Sequence, residues 1–278
     1  GLVFLPYGQW PKHGAPGPML ALIRDLVERE DLAHIAMMLI IETLDRDLDA
    51  TANNELLDRL TQVLEFTSTK RVVIAYQQWF ERGMLALAKA GRFAAVASLV
   101  LRTLDTRDEP ANVGMGHDVL RTLLRGGHAN QLWPHFAEAL LEDPISMLAW
   151  QLAAEHLLEF VHPQTVLTWV GAAERRATRV AGLTTPHGPA LDEVTRQLLI
   201  GFGPEGEVAR VLANRARSTP GVVAGGIGVF MRQQSANAHQ WANDVDPRVR
   251  SWAETLENEF RERADEHDAL REFRRKHG

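Results

Sequence analysis

Apolar residues recur at three- and four-residue spacing through most of this chain. Leu20, Ile23, Leu26 and Val27 make one such stripe, and Leu56, Leu57, Leu60, Val63 and Leu64 another. That spacing places each set along one face of a helix. No long alternating apolar–polar run bounded by turn residues predicts a strand. The β-branched run Val72-Val73-Ile74 invites one, but Tyr76, Trp79, Phe80 and Met84 continue it at helical spacing. The stretch 2–18 differs: Pro6, Pro11, Pro16, Pro18 and several glycines predict an irregular arm, because proline fixes φ and has no N–H.

Breakers cut the remainder into segments of helical length. They fall near Leu48–Ala52, Thr67–Lys70, Gly91, Thr106–Pro110, Gly126–Gly127, Asp143–Pro144, His162–Pro163, Thr184–Pro189, Phe202–Gly206, Thr219–Gly228 and Asn243–Pro247. The expected fold is all-α: roughly twelve or thirteen helices joined by short turns, which make successive helices antiparallel neighbours. Many such pairs in one chain predict an α-solenoid, and a compact irregular bundle is the alternative. The reading divides the chain into an arm (1–18), an acidic helical-repeat region (19–163) and a second helical region with a charged C-terminal helix (164–278).

Two segments resemble each other. Leu141-Glu142-Asp143-Pro144 runs into Met147, Leu148, Trp150 and Leu152. Asp246-Pro247-Arg248-Val249-Arg250 runs into Trp252, Ala253 and Leu256. In both, an aspartate precedes a proline that opens a helix. The carboxylate can accept from free N–H groups of the first turn, and proline there loses no hydrogen bond. Val249, Trp252, Ala253 and Leu256 would form a buried stripe, with Arg248 and Arg250 outward. This box, Asp246, Pro247, Val249, Trp252 and Leu256, resembles the start of the second part of a HEAT-type repeat. The last seventy residues also resemble the C-terminal ends of large bacterial multidomain proteins of the defence and signalling NTPase kind. The resemblance implies a helix (Glu207–Arg217), a glycine-rich loop (Pro220–Gly228), a helix (Phe230–Ala242), the box and a charged tail (Glu254–Lys276). It implies no catalytic motif.

Composition narrows the chemistry. The 278 residues include no cysteine, which excludes disulfides, thiolate metal sites and a cysteine nucleophile. No apolar run approaches the ~18 residues that a membrane helix requires, so a cytoplasmic protein without membrane contact is expected. The net charge of −6 is unevenly spread. Acids and bases nearly balance from Gln164 onward, so the acidic surplus lies before it. The chain begins at Gly1 and reads as a piece of a longer polypeptide or as carrying a tag scar.

Eleven histidines are the richest source of chemistry, but neither H-E-x-x-H nor inward Glu-x-x-His pairs occur. His135 with Glu138, and Glu30 with His34, read as surface contacts. His156 and His162 read as caps on final helix carbonyls. Gly225-Gly226-Ile227-Gly228 lacks the Lys-Ser/Thr pair of a phosphate loop. Ser235 and His239 are four apart without an orienting acid, and no G-x-S-x-G elbow exists. Asp45, Asp47 and Asp49 read as solvated charge. No cofactor or metal is expected, and no enzymatic activity.

Two binding readings remain. The favoured one is a non-catalytic helical-repeat scaffold that recognises a protein partner or an adjoining domain, as the sensor or assembly arm of a larger bacterial protein, an anti-phage defence protein in the reading the resemblance suggests. The alternative is a nucleic-acid-binding repeat using Arg175, Arg176, Arg179, Arg210, Arg215 and Arg217. Acids are interspersed among these arginines and aromatics for base stacking are not, so nucleic acid is disfavoured. A cryptic enzyme, assembled from distant histidines and carboxylates, is the third class.

Overall fold

A computed structural model describes residues 16–44, 49–68, 74–104, 113–142, 147–218 and 226–277. Among them are fifteen α-helices, one short 3-10 turn and no strand, so the fold is all-α. The chain forms two compact units, Gly1–Leu123 and Leu124–Gly278.

The first unit holds α1 (Pro16–Val27), the 3-10 turn (Glu30–Leu32), α2 (Ala33–Leu44), α3 (Ala50–Ser68), α4 (Ile74–Lys89), α5 (Phe93–Leu104) and most of α6 (Val113–Arg125). Its core takes in Ile23, Leu26, Leu56, Leu60, Leu64, Phe80 and Met84 from the stripes read in the sequence, and adds Met37, Ile40, Val96 and Val100; Leu20 and Val27 are half-buried. Helix α1 begins at Pro16, inside the stretch 2–18 expected to be irregular. Pro16 and Pro18 lie in the first turn, where N–H groups have no intrahelical acceptor and the missing donors cost nothing. Residues 1–15 lie outside the described residues, as do Asp45 and Asp47. Asp49 caps α3, its Oδ1 accepting from the Ala52 N–H at 2.8 Å. Gly91 ends α4 with φ +76°, a left-handed conformation that a Cβ would strain. Gly116 brings α6 close to α5: a Cβ there would sit 2.8 Å from Thr103 Oγ1 and 3.1 Å from Leu104 Cδ2.

The second unit continues with α7 (Ala129–Glu142), α8 (Met147–Ala154), α9 (Leu157–Phe160), α10 (Pro163–Val170), α11 (Glu174–Ala181), α12 (Glu193–Phe202), α13 (Glu207–Arg217), α14 (Ile227–Trp241) and α15 (Pro247–His277). The last two pack along each other as a hairpin, and α15 runs unbroken for 31 residues. Asp246 opens it: its carboxylate accepts from the Arg248 N–H at 2.9 Å and pairs with the Arg248 guanidinium. Behind that cap Val249, Trp252, Ala253, Leu256, Phe260 and Ala264 are buried in one stripe. The indole of Trp252 stacks on Trp241, ring centroids 5.8 Å apart, and donates to the Ala209 carbonyl.

The likeness between the two Asp-Pro segments does not extend to packing. Trp150 is 60% exposed and Met147 48%, whereas Trp252 is 3% exposed. Asp143 and Pro144 lie outside the described residues.

Candidate protein-binding surface

Between α11 and α12 the chain crosses the second unit without regular structure, over residues 182–192. Polar side chains of α13 and α14 hold this crossing by its carbonyls. Arg215 Nε donates to Thr184 O at 2.9 Å, Gln234 Nε2 to Pro186 O at 3.2 Å, Asn237 Nδ2 to His187 O at 2.7 Å, and Trp241 Nε1 to Gly188 O at 3.0 Å. Gln234 also donates to Ala216 O, and its own oxygen accepts from Asn237. Gln234 and Asn237 are 1% and 2% exposed, and every polar atom named is satisfied by a partner inside the fold. His187 donates from Nε2 to Arg215 O at 3.2 Å, and burial pushes its pKa down. Burial likewise lowers that of Arg215. These groups are structural.

The six arginines of the nucleic-acid alternative do not form an unoccupied cationic face. Arg175 donates to the Leu141 carbonyl at 2.7 Å, and Arg176 to the Trp169 carbonyl at 2.9 Å while lying over the Trp169 ring. Arg179 is half-buried in α11 and has a partner within the fold. Arg210 pairs with Glu207, Arg217 with Glu259, and Arg215 serves Thr184 as described. Arg248 and Arg250 point away from the buried stripe, as expected, yet neither is idle. Arg250 donates to the carbonyls of Asp244 and Val245, both at 2.9 Å. Beside them Arg196 makes a two-pronged pair with Asp244, holding that carboxyl below its usual range, and Arg248 holds Asp246 down to about 2.

Two histidine assignments change. His162 does not close the helix before it. It opens α10, Nδ1 accepting from the Gln164 N–H at 3.2 Å, with Pro163 as first helical residue. The Asn130 side chain in turn accepts from the His162 N–H. His156 sits at φ 55°, the one non-glycine among the described residues with positive φ, and contacts Glu159 at 2.9 Å. For Ser235 and His239 the acid invisible in sequence is Glu257 on α15, 3.3 Å from His239 Nδ1. Ser235 gives its hydroxyl to the Glu257 carbonyl, so the three do not form a nucleophile–base relay. Among the described residues no three His, Asp or Glu side chains converge as a metal site. None of the described helices is long and apolar enough to cross a membrane.

Exposed apolar side chains mark a different place. Ile227 and Val229, in the first turn of α14, are 48% and 41% exposed, and Leu270 and Phe273, near the end of α15, are 54% and 61% exposed. Gly228 lies between the first two, and a Cβ there would sit 3.4 Å from His267 Cβ and 3.5 Å from Asp268 Oδ1. The Arg232–Asp268 pair ties the same turns together. Four large apolar residues thus gather at one end of the hairpin. The spacing of Leu270 and Phe273 within a charged tail is visible in the sequence. That α14 adds Ile227 and Val229 beside them is not, because it depends on how the hairpin pairs.

Comparison with protein-family models, with curated proteins and with solved structures gives no match.

Proposed function

We propose that this chain is a non-catalytic, protein-binding helical module, built of HEAT-like helix pairs in a solenoid and serving as a recognition or assembly arm of a larger bacterial protein. A role in anti-phage defence follows only from the resemblance of the Asp246–Leu256 box and its flanking helices, and a cytoplasmic setting is the reading drawn from composition. The observation that carries the binding reading is the distribution of side chains. Polar side chains of α13 and α14 are spent on holding the 182–192 crossing, while four of the eight exposed large apolar residues among the described ones, Ile227, Val229, Leu270 and Phe273, lie toward one end of the α14–α15 hairpin. Apolar and aromatic groups ringed by charge are what a protein partner desolvates on binding. Engagement of the arginines by carbonyls, carboxylates and an indole weighs against a phosphate-tracking surface.

The test is a photocrosslinking amino acid placed at Phe273, and separately at the exposed Arg125 as control, in the parent protein in its native cells. Protein adducts at Phe273 and not at Arg125 are expected. Absence of any protein adduct at Phe273 would sink the reading.

A further inference from the structure

The projecting end of α15 points to a particular partner. We propose that two copies of this chain pair through that end, antiparallel, so that Leu270 and Phe273 of each meet the other. The proposal rests on the reading of the chain as a protein-binding module and names what it binds.

Residues 269–276 are exposed on every side, although they remain helical. This exposed stretch carries two large apolar groups, Leu270 and Phe273, on one flank, 54% and 61% exposed. Charge along it is polarised. Residues 262–268 hold Glu262, Asp265, Glu266 and Asp268 against Arg263 alone, and 271–276 hold Arg271, Arg274, Arg275 and Lys276 against Glu272 alone. Local pairs use part of this charge: Arg232 with Asp268, Arg263 with Glu259, Lys276 with Glu272. Among the described residues, Glu262, Asp265 and Glu266, and Arg271, Arg274 and Arg275, make no ion pair inside the chain.

Parallel pairing of two such ends would set acid on acid and base on base. Antiparallel pairing centred near Ala269 and Leu270 sets the basic turns of each copy along the acidic turns of the other. It also opposes the two helix dipoles favourably, and a two-fold axis closes the assembly at two copies. Charge therefore selects both the partner and its direction, and the apolar pair supplies the contact. Ile227 and Val229 lie beside this contact at the start of α14.

Sedimentation equilibrium of the full chain, over about 10–500 μM and at low and high salt, tests this. The wild type should show a weight-average mass rising toward twice the monomer value, less so at high salt. Leu270→Glu/Phe273→Glu should remain monomeric at every concentration, with unchanged far-UV circular dichroism because both side chains are exposed. Reversing the three arginines (Arg271→Glu, Arg274→Glu, Arg275→Glu) should abolish association, and so should reversing the three acids (Glu262→Arg, Asp265→Arg, Glu266→Arg). A chain carrying both sets should associate again. A monomeric wild type throughout, or undiminished association of the Leu270/Phe273 variant, would overturn the proposal. Failure of the doubly reversed chain to recover would overturn the antiparallel arrangement. A monomeric wild type that still gives crosslinks to another protein at Phe273 would remove self-pairing alone and leave the recognition reading standing.

Discussion

Single residues in the second unit divide into those that fill space and those that satisfy carbonyls. Trp252 does both, so Trp252→Ala should cost roughly 3–5 kcal/mol, the range for a large aromatic lost from a core. Arg250→Ala should cost about 1 kcal/mol, more than an idle surface arginine, because two carbonyls lose a charged donor. Chemical denaturation of both variants checks the order; equal losses would mean that the indole is not the keystone of this packing. The acid cluster beside it predicts a pH dependence. Asp244 and Asp246 titrate lower in the folded chain than the usual ~3.9 of a free aspartate. Folding therefore gains from their ionised forms. That gain is complete above about pH 4 and is lost as pH falls through the folded values, near 2 for Asp246. Asp246→Asn should flatten the thermal-stability profile between pH 4 and 2 relative to wild type, and a parallel profile would refute the assignment. The role of Asp246 was legible in sequence, since Asp-Pro at a helix start uses only neighbours in the chain. Glu257 beside His239 and Asp244 beside Arg196 were not, since those partners lie 18 and 48 residues apart.

Helices were legible wherever an apolar stripe met a local stop signal. The expected Glu207–Arg217 coincides with α13, and the glycine before Arg92 ends α4 as its residue type requires. Where a signal serves either of two helices, sequence did not decide: His162-Pro163 starts α10, although the imidazole had been expected on the end of the preceding helix. Periodicity also shows which face is buried but not what it is buried against. The Asp143–Leu152 and Asp246–Leu256 segments share a pattern and differ in the exposure of their tryptophans. The contact of α5 with α6 is a case that spacing cannot reveal. Gly116→Ala should destabilise by about 1–3 kcal/mol, because the added methyl meets Thr103 and Leu104 and forces the helices apart. Gly114→Ala, in open space on the same helix, should be neutral or slightly stabilising. A comparison of melting temperatures separates the two.

For the whole molecule, net charge and the placement of arginine lead to the same expectation. A chain of charge −6 repels a polyanion at long range, and its arginines after Gln164 are largely tied to carbonyls and carboxylates. No DNA binding tighter than ~10 μM at physiological salt is expected, toward the weak end of non-specific association. Fluorescence anisotropy with duplex and single-stranded oligonucleotides at two salt concentrations measures it. Submicromolar binding lost on reversal of Arg175, Arg176 and Arg179 would restore the nucleic-acid alternative. The unbroken length of α15 has a mechanical consequence. A helix of 31 residues is a rod of about 46 Å, so its last turns are locked in angle to the Trp252 core. One residue inserted after Asp268 would leave the Arg232–Asp268 pair and the approach of Gly228 to His267 in place, yet swing Leu270 and Phe273 by about 100° around the axis. Seven inserted residues would return them almost to their original bearing, about 10 Å farther out. Whatever this end engages should therefore read the phase of the rod before its composition, and should tolerate a change in its reach more readily than a change in its rotation.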